Sequence, residues 1–106
     1  MFPEAGKMPF TPEWVGWTLF DAGLFIGALL ADDPRHGEAR PLVEAARQGE
    51  FRVCTTAGIL SEVYGAFTGE GAEPPQDPAV AAEAVRRLIE PPSAIRVIEA
   101  GADAAL

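Results

Sequence analysis

A single cysteine, Cys54, and a single histidine, His36, occur in 106 residues. One cysteine cannot close an internal disulfide, and such sparing use fits a reducing, cytoplasmic setting. Without a Cys pair, a histidine cluster or a Gly-x-Ser-x-Gly elbow, thiolate zinc sites and serine-hydrolase chemistry have no support. Positive charge is also scarce: eight Lys and Arg face sixteen Asp and Glu, a net charge of -8. That argues against a broad basic surface for nucleic acid or anionic lipid. It leaves room for a nucleic-acid enzyme whose positive charge arrives as metal ions or with a partner. The opening "MFPEAGKMPF" lacks the basic start and apolar run of a signal peptide. Residues 14–31 approach membrane-span length but hold Asp21, which costs about 2.5–3.5 kcal/mol near a bilayer centre. The flank "ADDPRHGEAR" is mixed in sign, so no membrane association is expected.

What is present suits one globular domain, 48% hydrophobic and 23% charged. Residues 1–13, with three prolines, read as an irregular N-terminal extension, and residues 14–106 carry the domain. "VGWTLFD" reads as a buried strand ending at Asp21. Leu24, Phe25, Ala28 and Leu29 then recur at helical spacing until Asp32-Asp33-Pro34 stops the pattern. A second helix is expected in "PRHGEARPLVEAARQGE", with Leu42, Val43 and Ala46 inward and Gly49 as its stop. Pro41 implies a kink there or a late start. "FRVCTT" is the second strand, and Thr55 or Thr56 can cap the helix after it. That helix carries a stripe of Ile59, Leu60, Val63, Tyr64 and Phe67. Asp77 and Pro78 open a further helix with Val80, Ala84, Val85 and Leu88 on one face, ended by Pro91-Pro92. "AIRVIEA" is the third strand, and Asp103 begins another helix. The order β-α-α-β-α-α-β-α predicts an α/β fold, a parallel sheet flanked by helices, with ligands at the carboxyl ends of its strands.

Asp21 lies at such a strand end, and Glu62 one to two turns into the helix after the second strand. Rim carboxylates with no other catalytic group point to a hard cation, Mg2+ or Mn2+, which takes oxygen ligands and activates water. The segment "TLFDAGLFIGALLADDPRHGEARPLVEAARQGEFRVCTTAGILSEVYG" resembles the N-terminal part of PIN-domain ribonucleases of the VapC toxin type. The resemblance rests on Asp21-Ala22, Pro34-Arg35-His36, the strand end Val53–Thr56 and Glu62-Val63-Tyr64-Gly65, and it covers roughly residues 17–100. It implies a Rossmann-like PIN fold whose strands are ordered 3-2-1-4-5. It also implies Asp21 and Glu62 as metal ligands, with Thr56 supplying a hydroxyl near the site. The implied activity is metal-dependent endoribonuclease cleavage of RNA, restrained by an antitoxin protein. The family's later acids follow a further helix, and Asp103 does not match them. Residues 14–106 are therefore expected to form a partial PIN-like domain, truncated at its C-terminus, inactive alone and prone to form a homo-oligomer through an unpaired strand edge.

Blander readings stand beside these. Asp21 can cap a helix, and Glu62 can be an ordinary exposed helix residue. His36 reads as a packing residue, Asp32 and Asp33 as a turn, and Cys54 as a small buried hydrophobe. Trp14 and Trp17 read as core or subunit contacts, because so little positive charge accompanies them. The alternatives to a nuclease are a non-catalytic PIN-like module that binds protein or RNA, and an unrelated α/β protein in which Asp21 only caps.

Overall fold

The computed structural model describes residues 16–69, 72 and 74–98. Strand β1 is short, Thr18–Leu19, and leads through the buried Phe20 into helix α1, Ala22–Leu29. Helix α2, His36–Arg47, returns the chain to β2, Val53–Thr56. Helices α3, Ala57–Thr68, and α4, Pro78–Ile89, then lead to β3, Arg96–Ile98. The three strands are parallel in the order β1-β2-β3, so the protein is an α/β fold, with a parallel sheet and four helices among the described residues. The helix expected from Asp103, the residue Trp14 and the extension of residues 1–13 lie outside the described residues. Among the described residues, no helix is long and apolar enough to cross a membrane.

Local chemistry explains several boundaries. Asp77 Oδ1 accepts from the Ala79 amide at 2.7 Å with Pro78 next in line, the arrangement expected at a helix start. Helix α2 ends in a left-handed Gly49, φ +80°. The Gly49 amide donates to Ala46 O and the Glu50 amide to Ala45 O, both at 3.0 Å, so the last carbonyls are satisfied. Pro41 does not delay the start of α2. The helix begins five residues earlier, at His36, and continues through the proline. Only one intrahelical donor is lost, and the carbonyl it would have met belongs to the exposed Gly37, where water can reach it.

The core is made where β1, β2 and β3 meet the helices. Phe20, Phe25, Val53, Val63, Phe67, Leu88 and Ile95 are all buried within it. Phe25 is 0% exposed and meets Phe20 edge to face, with centroids 5.8 Å apart. Two expected core positions fall outside it: Leu42 is exposed, and Val80 is 59% exposed. Val43 and Ala46 of α2 are buried as expected, and α4 buries Ala81 in addition to Leu88. Helices α1 and α2 meet at Gly27, where a Cβ would lie 3.3 Å from Ala39 Cβ.

The sheet has two unlike faces. Pairing of Leu19 with Cys54 and of Cys54 with Arg96 places these three side chains on one face, and strand alternation adds Trp17 and Arg52. Phe20, Val53 and Ile95 point the other way, into the helices. Both crossovers step across the sheet in the same direction. With the right-handed connection that such units require, their helices fall on one side. Leu19, 54% exposed, marks the other.

Candidate functional site

Continuing the β1–β2 register two residues past Leu19 and Cys54 sets Asp21 beside Thr56. Both backbones are extended, and both residues cap the helix that follows. Asp21 Oδ1 accepts from the Leu24 amide at 3.0 Å, and Thr56 Oγ1 accepts from the Ile59 amide at 3.1 Å. Neighbouring parallel strands run about 4.8 Å apart, so two helix amino termini with their partial positive charge open side by side on one rim. Of the two candidate threonines, Thr56 is the cap. Thr55 is fully buried and its hydroxyl donates to Phe20 O at 3.2 Å, tying β2 to β1 just behind the rim.

Asp21 is exposed, and its second oxygen, Oδ2, makes no hydrogen bond among the described residues. Arg35 stands over the same corner. A Cβ on Gly23 would lie 3.0 Å from Arg35 Nη1 and 3.7 Å from Asp21 Oδ1, so the glycine leaves room for the guanidinium. Asp33 holds Arg35 in place, accepting from its amide at 2.8 Å and from Nε at 3.2 Å. The hydrogen bond from the Arg35 side chain, then that from its backbone, holds the Asp33 carboxyl below the usual carboxylate range. In return the Asp33 hydrogen bond and charge raise Arg35, and the charge of Asp21 adds to this. Asp33 is therefore more than a turn former: it fixes a cation beside Asp21. Sequence reading missed Arg35, since nothing in "DAG" and "DPRH", twelve residues apart, announces that they share a corner.

Glu62 is exposed on α3, six residues beyond Thr56 and so about 9 Å along the helix from the cap. The rim thus joins Asp21, Thr56, Arg35 and Asp33, while Glu62 stands back on α3. No group of three or more His, Cys, Asp or Glu side chains able to hold a metal occurs among the described residues. A hard cation commonly takes only one or two carboxylates and keeps several waters.

His36 has a structural task, as expected. Its Nδ1 lies 2.9 Å from Gly27 O, a last-turn carbonyl of α1 that lacks an intrahelical donor. Cys54 is buried, and burial pushes its thiol pKa up, which makes it a poor nucleophile. Trp17 overturns the expectation that little positive charge surrounds it. The Arg52 guanidinium lies 5.8 Å and that of Arg96 5.9 Å from its ring centre. Apart from the rim, a groove of about 740 Å3 runs beside α2 and α4, floored by Ala28, Val43 and Leu88 and bordered by Arg40, by Arg47 paired with Glu44 and by Arg87 paired with Glu83. None of Asp21, Thr56 and Glu62 lines it. No family model matches the chain, and no curated protein matches it.

Proposed function

We propose that the Asp21 rim belongs to a metal-dependent endoribonuclease of the PIN, toxin–antitoxin type. The observation that carries the reading is the side-by-side placement of Asp21 and Thr56 at the carboxyl ends of adjacent parallel strands, with an exposed carboxylate oxygen. The strand order β1-β2-β3 agrees with the first half of a 3-2-1-4-5 sheet. Asp21 and Glu62 would hold Mg2+ or Mn2+. When bound, the ion supplies an activated water and neutralises the charge that develops on phosphate. Asp21 keeps one oxygen on the α1 amide, which fixes the carboxylate and leaves the other for the ion. The Thr56 hydroxyl, engaged as acceptor at the α3 cap, retains its proton for donation to a ligand or a water. Arg35 offers a guanidinium for a phosphate oxygen at the same corner.

An antitoxin-type protein is part of the same proposal. The trough beside α2 and α4 has an apolar floor and a border of mixed charge, a shape suited to an amphipathic helix. Self-association is proposed through β1, whose outer edge is unpaired among the described residues. A cytoplasmic location completes the reading.

Incubation with labelled single-stranded RNA tests it. Any cleavage seen with Mn2+ or Mg2+ is expected to be abolished by EDTA, by Asp21→Asn and by Glu62→Gln. Cleavage that survives both substitutions refutes the assignment. A second reading, a PIN-like module that binds without cutting, is favoured by one observation. Asp21 already caps α1 beside an arginine, and no third metal-ligating side chain joins it among the described residues. Metal-independent RNA binding with no cleavage under any condition would select that reading.

A further inference from the structure

Arg35 is placed where helix electrostatics alone would not put a cation. Its backbone is the N-cap of α2, and its side chain reaches Gly23, the second residue of α1, so it lies near the positive ends of two helices. Two glycines one turn apart, Gly23 and Gly27, make its seat. A Cβ on Gly27 would lie 3.4 Å from Arg35 Cβ and 3.5 Å from Asp33 Oδ1, and one on Gly23 would lie 3.0 Å from Arg35 Nη1. The turn that presents the side chain is held at both ends. Pro34 fixes the backbone between Asp33 and Arg35, and the His36 amide donates to Asp33 O at 2.9 Å.

Asp33 sets which edge of the guanidinium faces outward. It accepts from Nε at 3.2 Å through Oδ1 and from Nη2 at 3.4 Å through Oδ2. Nη1, the nitrogen at the Gly23 notch, makes no hydrogen bond among the described residues. Asp21 stands across that notch, where the same added Cβ would lie 3.7 Å from its Oδ1. It acts on Arg35 through its charge, and no hydrogen bond or ion pair joins the two. The Asp33 side chain is 14% exposed and that of Arg35 58%, so the carboxylate is shielded while the guanidinium meets solvent.

We propose that Asp33 is a positioning residue of the Asp21 rim, holding Arg35 so that Nη1 donates to a phosphodiester oxygen of single-stranded RNA next to Asp21. The proposal rests on the ribonuclease reading for its substrate class, and adds to it the residue that decides where the phosphate lies. A guanidinium gripped along one edge keeps its planar fork aimed and loses little further freedom on meeting a phosphate. The plain alternative is an exposed ion pair in which Asp33 accepts from the Arg35 amide, of small value to the fold and none to a ligand. The two readings differ in sign. Asp21, Asp32 and Asp33 make the corner acidic, so by charge alone removing the Asp33 carboxylate helps an RNA chain to bind. By positioning, removing it hinders binding.

The test is fluorescence anisotropy of labelled hexauridylate with the full chain in EDTA at low salt, where no bound metal contributes. Wild type is expected to bind. Arg35→Gln is expected to weaken binding about tenfold and to flatten the slope of log affinity against log salt by about 0.7, as for one lost phosphate contact. Asp33→Asn keeps an oxygen for the Arg35 amide but cannot accept on both sides of the guanidinium. It is expected to weaken binding several-fold, although it removes a negative charge. In an Arg35→Gln background the same Asp33→Asn change is expected to tighten binding, a reversal that a merely structural role does not produce. Gly23→Ala changes no charge. Its Cβ displaces Nη1 and is expected to weaken binding, while alanine suits the helix and keeps the fold. Circular dichroism melting of each variant separates lost binding from lost fold, and Gly23→Ala decides the matter if Asp33→Asn unfolds. No saturable binding, unchanged affinity in Arg35→Gln or Gly23→Ala, or an Asp33→Asn affinity equal to or above that of wild type would each overturn the proposal. The two proposals fail separately. Binding that depends on Asp33 and Arg35, with cleavage indifferent to Asp21→Asn, sinks the nuclease assignment alone. Asp21-dependent cleavage, with binding indifferent to Asp33 and Arg35, sinks the positioning role alone.

Discussion

Asp21 combines two roles that one pair of substitutions can separate. Its Oδ1 satisfies the Leu24 amide at the start of α1, and Asn at an N-cap does this about as well as Asp. Asp21→Ala removes the cap and costs about 1 kcal/mol, within a range of roughly 0.5–2. For a domain of this size that lowers Tm by about 4–8 °C. Asp21→Asn keeps the hydrogen bond and loses only the charge facing the helix amino terminus, about 0.3–1 kcal/mol at an exposed site. A bound cation acts differently. At ten times its Kd it stabilises the fold by about 1.4 kcal/mol through mass action, a rise in Tm comparable to the loss in Asp21→Ala. Differential scanning fluorimetry with and without Mg2+ or Mn2+ reads both effects. Wild type is expected to rise with metal, Asn to melt near wild type without metal and to gain nothing, and Ala to melt low and gain nothing. Removing Arg35 sharpens the test: Arg35→Gln takes a competing cation from the same corner and is expected to tighten metal binding. An equal metal-induced rise in wild type and Asp21→Asn would refute the metal role. A melting point of Asp21→Ala equal to wild type would refute the cap.

Two further expectations concern the frame around the rim. Gly65 is exposed in α3 with nothing within 4 Å of an added Cβ, so Gly65→Ala is expected to stabilise by about 0.5–1 kcal/mol. Gly49, at φ +80°, is the contrast: Gly49→Ala forces an L-residue into the left-handed region and is expected to cost about 1 kcal/mol by urea denaturation. Acid titration tests the Asp33–Arg35 pair. The folded pKa of Asp33 lies below its unfolded value, so the pair stabilises above about pH 3.9 and its contribution fades as pH falls through the lower, folded value. The melting-point difference between wild type and Arg35→Gln is therefore expected to shrink steadily as pH drops below about 4. A difference that stays constant to pH 2 would show that Arg35 acts by packing alone.

Information that is local in the chain was legible before any coordinate. The caps at Asp21, Thr56 and Asp77 and the stop at Gly49 depend on residues within four positions of one another, and so did the alternation of strands and helices. Errors arose where a property depends on a partner across the fold. Val80 has the right period for the core face of α4, yet periodicity cannot say that this part of the stripe stays 59% exposed. The late start expected from Pro41 did not occur, because its cost depends on whether the orphaned Gly37 carbonyl meets water, which only exposure reveals.

The Trp17 cluster is the sharpest instance of this limit. Counted along the chain, Trp17 lies 35 residues from Arg52 and 79 from Arg96, and an overall charge of -8 gives no sign of a local positive patch. Parallel pairing of three short strands brings all three residues together, and strand alternation then decides that they share one sheet face with Leu19 and Asp21. Net charge describes the molecule as seen from far away. Within a Debye length of about 8–10 Å, what a ligand meets is set by register. A one-residue slip of β1 would turn Trp17 and Asp21 to the helical side together and send Phe20 into solvent. Burial of Phe20 therefore does more than contribute apolar area to the core. By fixing the phase of β1 it holds the indole and the carboxylate on the same surface, so the hydrophobic core and the candidate site depend on a single choice of register.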